Sequence, residues 1–197
     1  MREATVIVLA GGASSRMQQP KALLRFGNET LIERVVGALA PVGGATVVVS
    51  AAHVPLPPLP PGVGIVEDPV PLLGPAAGIL HGLAAAKTDV CFVSSCDQPF
   101  PSVPLARALV ERIGDAALLI PRWRGHLQPL FAAYRRSLLP AFEAAIASGE
   151  RRLVTLVEGL GGRELSEKDA ARLDPKGLSF FDVDTPERYR QALRLAR

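Results

Sequence analysis

The sequence predicts one α/β domain: a mostly parallel sheet with helices on both faces, in three layers. Three observations carry this expectation. The runs at Thr5–Ala10, Thr46–Val49 and Val90–Ser94 are almost continuously apolar and rich in β-branched residues, as strands buried on both faces are. Segments of helical spacing alternate with them, which argues for parallel strands joined by crossover helices. The length of 197 residues suits a single domain with a substantial core.

Each element follows in order. Thr5–Ala10 runs straight into the turn-rich string GGASSRMQQPK. In Thr30–Leu39, the residues Leu31, Ile32, Val35, Val36 and Leu39 recur at helical spacing, and Thr30 is placed to cap the helix. Thr46–Val49 is the second strand. The proline-rich stretch Val54–Gly64 reads as a stiff surface connector. Ile65–Val66 leads to Glu67–Asp68, a helix covers Ala76–Ala86, and Val90–Ser94 is a buried strand ending at Cys96–Asp97. A helix at Val103–Ile113 and a strand at Ala117–Ile120 follow. After Arg122 the pattern loosens. Leu127–Tyr134 reads as a strand, and Ser137–Ser148 and Glu150–Glu158 as two short helices broken at Gly149. Phe180–Val183 reads as a last strand. Thr185–Arg197 is a helix with Thr185 as cap and Pro186 at its first position.

Composition narrows the function classes. The chain is 48% hydrophobic and 21% charged, too apolar for a disordered protein. Its net charge of +3 is dispersed and aromatic residues are only 5%, which argues against a nucleic-acid binder. The start MREATVIVLAGG lacks the design of a secretory signal. The uncharged stretch Pro69–Ala86 holds too many prolines and glycines for a membrane span. Cys91 and Cys96 on one strand lie roughly 16 Å apart, beyond the about 7 Å that a disulfide allows. Two reduced thiols and a cytoplasmic location are the expectation.

Ligands of open parallel sheets bind beyond the carboxyl ends of the strands, and four informative segments fall there. In Leu9–Lys21, Gly11 and Gly12 let backbone N–H groups approach an anion, and Arg16 and Lys21 add positive charge. The spacing is neither a dinucleotide nor a Walker loop. Glu67–Asp68 is followed by GPAAGI, in which Gly74 and Gly78 again permit close approach. Asp97 in SSCDQPF ends a buried strand, where a hard cation such as magnesium accounts for the carboxylate. Asp182 and Asp184 alternate along the expected last strand and so share a face. A phosphate cradle, two cations and a metal-type aspartate suit transfer of a nucleotidyl group, where catalysis is positioning and charge neutralisation. The histidines His53, His81 and His126 form no catalytic or metal-ligand pattern.

These residues carry a resemblance over nearly the full length. LAGGxSxRM…K at Leu9–Lys21, the aspartate of VEDPV, GPxAGI at Gly74–Ile79, CDxPF at Cys96–Phe100, QPL at Gln128–Leu130, GERRL at Gly149–Leu153 and DTPERY at Asp184–Tyr189 stand in family order. The chain resembles the molybdenum cofactor guanylyltransferases, within the nucleoside-triphosphate transferases that include sugar-1-phosphate nucleotidylyltransferases. The resemblance implies a Rossmann-like sandwich of the nucleotide-diphospho-sugar transferase type. Residues 1–100 would form its nucleotide-binding half and 101–197 its acceptor-binding half.

It further implies a magnesium-dependent reaction of GTP with molybdopterin that yields the guanine dinucleotide cofactor and pyrophosphate. By motif, Leu9, Ala10, Gly11, Gly12, Gly74 and Gly78 are nucleotide-binding, as is Ser50, where the family often has asparagine. Lys21 contacts phosphates, Arg16 joins it in catalysis, Asp68 contacts guanosine and Asp97 binds the metal. Arg151, Arg152, Asp182 and Asp184 face the acceptor. The implied partners are the two substrates and, transiently, cofactor-donating and molybdoenzyme-maturation proteins, with no nucleic acid and no membrane. Two departures stand out: Met17 is followed by Gln18 where the family reads glycine, and Asp182 and Asp184 replace asparagines. Cytidylyl transfer to the same cofactor, or transfer to a sugar phosphate, is the alternative that the paired aspartates favour. A non-catalytic GTP-binding module is disfavoured by Asp97.

Overall fold

Side-chain alternation on the first strand sets the architecture. Val6 and Val8 enter one buried apolar layer, whereas Ile7 and Leu9 enter the other, because successive side chains of a strand point to opposite faces. The computed structural model describes residues 3–11, 17, 19–52, 54–68, 74–150 and 152–196.

In chain order the elements are β1 (Thr5–Leu9), β2 (Arg25–Phe26), β3 (Glu29–Thr30), α1 (Leu31–Leu39), β4 (Ala45–Ala51), β5 (Val63–Asp68), α2 (Pro75–Ala85), β6 (Val90–Ser95), α3 (Val103–Arg112), β7 (Leu118–Trp123), β8 (His126–Leu127), β9 (Phe131–Arg135), α4 (Leu139–Ala147), α5 (Leu153–Gly159), β10 (Arg163–Leu165), α6 (Glu167–Leu173) and α7 (Pro186–Leu195). The main sheet runs β10-β7-β9-β6-β1-β4-β5, with β8 pairing β7. Strands β5, β4, β1 and β6 are mutually parallel. β9 is antiparallel to both β6 and β7. The sheet is therefore mixed and mostly parallel.

Helices cover both faces. α1, α3 and α6 send Ile32, Leu105 and Ala170 into one layer, and α2, α4 and α5 send Ile79, Phe142 and Leu156 into the other. Burying each of the larger side chains among these, the isoleucines, leucines and Phe142, contributes roughly 1.5–3 kcal/mol. α1 begins as expected: the Thr30 side chain accepts from Glu33 N, while Glu33 reaches back to Thr30 N at 2.7 Å. The Glu33 carboxyl is held below its usual value, chiefly by its hydrogen bonds from Thr30. α2 lies close to β1 because Gly82 has no side chain; a Cβ there would stand 2.4 Å from Ile7 Cγ2.

Several sequence expectations are corrected. No strand forms at Phe180–Val183. Gly177 is left-handed (φ 60°) and Leu178–Phe180 is a 3₁₀ turn. The buried Asp174 carboxylate accepts from Leu178 N at 3.2 Å and Ser179 N at 2.8 Å, so local hydrogen bonds replace a ladder. The expected strand at Leu127–Tyr134 divides into β8 and β9, since Phe131 N turns back to Gln128 O across Pro129. The β2–β3 hairpin was not anticipated, although Gly27–Asn28 between Phe26 and Glu29 is a hairpin signal. Nor were β10 and α6 anticipated, although Ser166 accepts from Asp169 N as a helix cap.

A third apolar cluster lies beside the site. It joins Met17, Leu24, Phe26, Leu31, Val183 and Ala192, with Phe100, Phe181 and Tyr189 packed against them. The hairpin and α7 thus meet at the loop that follows β6.

Candidate active site

The carboxyl ends of β1, β4, β5 and β6 form one crest. Leu9 stands level with Val49 and Ser95, and Ala51 with Asp68. Ala10 N donates to Val49 O at 2.7 Å and Cys96 N to Leu9 O at 2.9 Å, which ties the three strand ends together. Gly11 is exposed at this crest, and a Cβ on it would come 3.2 Å from Ala51 N. Ser50 is buried at the end of β4.

Asp97 follows β6 and is held from both sides. Lys21 Nζ lies 2.7 Å from Oδ2, and Ser95 Oγ donates to Oδ1 at 2.6 Å. Lys21 opens a 3₁₀ turn, Lys21–Leu23, whose backbone closes Leu24 N onto Lys21 O. Asp68 at the end of β5 pairs with His81 of α2, Nε2 to Oδ1 at 3.4 Å. His81, read from sequence as part of no catalytic or metal-ligand pattern, thus contacts Asp68, one of the candidate site residues.

Asp182 reaches the same region by a loop rather than a strand. Val183 N donates to Asp97 O at 2.8 Å, and Gln98 Nε2 donates to Asp182 Oδ1 at 3.1 Å. Burial first, and the neighbouring Asp97 carboxylate second, push the Asp182 carboxyl above its ordinary value, while Gln98, Arg188 and Lys21 act the other way. Asp184 does not share the cleft. It lies 3.4 Å from Arg188 Nε on α7. The expected shared face is lost with the expected strand, and of the two aspartates only Asp182 lines the cleft.

A cleft of about 550 Å³ opens beside Asp182. Gln98, Gln128 and Arg152 line its polar part, and Pro129, Leu130 and Val154 its apolar part. Gln98 is 3% exposed, and its Oε1 has no hydrogen-bond partner among the described residues. Gln98, Ser95 and Arg188 were not assigned roles from sequence. Gln98 and Ser95 flank Asp97 in SSCDQPF, but nothing in the string distinguishes a ligand-facing side chain from a structural one.

The remaining assignments divide. Gly74 caps α2 with a positive φ of 78° and is exposed, a conformation that disfavours side chains. Gly78 sits within α2, buried against Leu9, where a Cβ would meet Leu9 Cδ2 at 3.2 Å. Gly12, Arg16 and Arg151, together with Gln18 and His53, lie outside the described residues. Cys91 and Cys96 are free and buried. Burial pushes the Cys91 thiol up to about 12 and raises Cys96 also, so neither is a nucleophile at neutral pH.

The donor set fits a hard divalent cation. Asp97 and Asp182 supply two carboxylates close enough for one to raise the other, and such ions are held by one or two carboxylates plus substrate phosphates. Among the described residues no group of three or more His, Cys, Asp or Glu gathers into a complete metal cage. No helix among them is long and apolar enough to cross a membrane.

Open sheets of this kind take their ligands where the strand order reverses, and here a lysine, two carboxylates and a cleft converge on that edge. The chain has the fold and chemistry of a nucleotidyltransferase. Residues 6–166 match the family model described as MobA-like NTP transferase domain, and the chain belongs to that family. It is 36% identical over 186 residues to a protein of Pelotomaculum thermopropionicum named probable molybdenum cofactor guanylyltransferase, covering 94% of this chain and 90% of the relative. A Mycobacterium tuberculosis protein of the same name is 38% identical over 159 residues, 77% of this chain and 78% of that one. Among solved structures, molybdopterin-guanine dinucleotide biosynthesis protein A from Archaeoglobus fulgidus superposes with a TM-score of 0.78 at 24% identity, over 97% of each chain. The 2-C-methyl-D-erythritol 4-phosphate cytidylyltransferase of Thermus thermophilus superposes at 0.74 with 21% identity over the whole of both chains, which shows a shared fold.

Proposed function

We propose that the enzyme transfers GMP from GTP to molybdopterin, releasing pyrophosphate. The observation that carries this reading is the Lys21–Asp97–Ser95 grouping, set between the glycine-bearing crest and a cleft floored by Asp182. The relatives' names support guanine and molybdopterin as the substrates.

On this reading Leu9, Ala10, Gly11 and Ser50 cradle the nucleoside, with Gly12 and Gly74 bordering the phosphates. Asp68, oriented by His81, accepts hydrogen bonds from the guanine edge. Lys21 and Arg16 neutralise the triphosphate. Asp97 and Asp182 hold Mg²⁺, which withdraws charge from the phosphate oxygens when bound. The acceptor's terminal phosphate enters the cleft that Arg152 lines, and Arg151, its neighbour in sequence, is the second cation assigned to it. One of its oxygens forms a bond to the α-phosphorus of GTP as the bond to the β-phosphate bridge breaks, and pyrophosphate leaves. That phosphate is already anionic at neutral pH, its second pKa being about 6, so no general base is required. Positioning and charge neutralisation supply the acceleration. The nucleotide side falls mainly in residues 1–100 and the acceptor side mainly in 101–197. Delivery of the cofactor involves transient contacts with donating and maturation proteins, in the cytoplasm.

A thermal-shift series with GTP, CTP, ATP and UTP, each with and without Mg²⁺, tests the base. Selective stabilisation by Mg²⁺ and GTP is expected, since a ligand that binds only the folded state raises its stability. Selective stabilisation by CTP or UTP overturns the guanine reading. Asp182 itself favours a second reading, transfer to a different phosphate acceptor, because it places a carboxyl where the resemblance has an amide. Pyrophosphate release with a sugar phosphate and none with molybdopterin would establish that alternative.

A further inference from the structure

The segment Phe181–Asp184 has no regular secondary structure, so no strand ladder holds it. Point contacts hold it instead. Two of them come from the Asp97 loop: Asp97 O accepts from Val183 N at 2.8 Å, and Gln98 Nε2 donates to the Asp182 carboxylate at 3.1 Å. The third comes from α7. Arg188 Nε donates to Asp182 O at 2.5 Å, its guanidinium lies 4.2 Å over the Phe181 ring, and the same Nε stands 3.4 Å from Asp184 Oδ1. One side chain thus grips three consecutive parts of the segment, namely the ring before Asp182, its own carbonyl, and the carboxylate two residues on.

We infer that Arg188 is a positioning residue that fixes Asp182 opposite Asp97, so that the two carboxylates present one divalent-cation site. The inference rests on the reading above that these two aspartates hold the metal. Its physical basis is the number of anchors. A loop residue held only from the Asp97 side pivots about that contact, whereas a planar guanidinium with fixed donor directions blocks the pivot. Stacking on Phe181 keeps the guanidinium in that orientation. The Asp184–Arg188 pair completes the clamp and neutralises the second aspartate, which leaves one carboxyl for the cleft. α7 begins at Pro186, beyond the residues 6–166 matched by the family model.

The test reads metal binding rather than turnover. Mn²⁺ is titrated calorimetrically into the wild type and the variants Arg188→Met, Arg188→Gln and Arg188→Lys, each saturated with a β,γ-imido analogue of GTP. Arg188→Met is expected to weaken Mn²⁺ about tenfold, while the analogue's own affinity without metal changes less than twofold. Arg188→Gln, which keeps an N–H donor, recovers part of the loss, and it serves as the working variant where Arg188→Met does not fold. Arg188→Lys keeps charge without the planar fork and recovers less. Unchanged Mn²⁺ affinity in folded variants, with only a lowered melting temperature, reduces Arg188 to a structural residue and overturns the inference. So does an absence of Mn²⁺ binding by the wild type. Failure of molybdopterin to accept GMP overturns the proposed reaction without altering this comparison.

Discussion

Lys21 Nζ sits 2.7 Å from Asp97 Oδ2, joining residues 76 positions apart at the edge where the β1 and β6 strands end. Both side chains keep partial exposure, 22% and 17%. The pair is therefore a modest contributor to stability and an exchangeable one. On the proposed reading, nucleotide phosphates would offer Lys21 another anionic partner and free an oxygen of Asp97 for the metal.

Lys21→Met is accordingly expected to act in opposite directions on two measurements. Turnover of GTP falls by about 10²–10³-fold, the scale of losing one charge-stabilising donor. Binding of Mn²⁺ to the nucleotide-free protein tightens, because its carboxylate no longer has to give up a cation. A calorimetric titration that finds Mn²⁺ affinity unchanged removes the competition.

Asp97→Asn keeps the shape of the side chain and an acceptor for Ser95 Oγ. The fold is expected to survive with a stability change of about 1 kcal/mol, the scale of an ion pair that keeps access to solvent. Pyrophosphate release should fall below detection. Retained turnover in a continuous pyrophosphate assay removes Asp97 from the chemistry.

Asp182 gives the protein a pH-dependent term of known sign. Its carboxyl titrates higher in the folded state than in the unfolded chain, because of burial and then of Asp97. The folded state therefore holds a proton that the unfolded chain releases near pH 4. The favourable contribution is complete below that pH and is lost as pH rises through the folded value. Asp182→Asn cannot ionise. In chelator-containing buffer it is expected to melt above the wild type at pH 7, with the difference shrinking to nothing below about pH 4. A constant offset across the range contradicts this assignment.

Gly82→Ala probes the packing of α2 on β1. A methyl group there stands 2.4 Å from Ile7 Cγ2. The helix must move or Ile7 must change rotamer, at about 1–3 kcal/mol. Urea unfolding gives the measurement, and a cost under about 0.5 kcal/mol means that the interface gives way freely.

Much of this was legible from residue pattern. Runs such as TVIVLA have one stable home, a strand covered on both faces. The Thr30 capping box likewise appears in the sequence as it does in the structure, because both depend on neighbours three residues apart. Lys21 and Asp97 were legible as site candidates because each follows a strand at its carboxyl end. The misreadings share a different cause. Phe180–Val183 has strand composition, yet Phe180 N and Phe181 N close a 3₁₀ turn onto Gly177 O and Leu178 O and Val183 N goes to Asp97 O, so no ladder forms, while Asp174 braces the turn through Leu178 N and Ser179 N. The contact of Gly78 with Leu9 has no local signal either, since it joins α2 to a distant strand. Gln98 and Arg188 carry no local signal, since their partners lie 84 residues away and six residues along the chain in a turn whose shape no periodicity encodes.

The sequence by itself determined the fold class, the alternation of strands and helices, and the crest where charge collects, because each follows from periods of two or 3.6 residues and from turn chemistry. Only the tertiary structure decided which charges oppose one another. Asp182 is drawn beside the Asp97 loop through Gln98 and Val183 N, while Asp184 lies against Arg188, and that separation rests on a loop braced by Asp174 and clamped from the last helix. Such contacts join parts of the chain with no common period, so their geometry exists only once the sheet has brought them together.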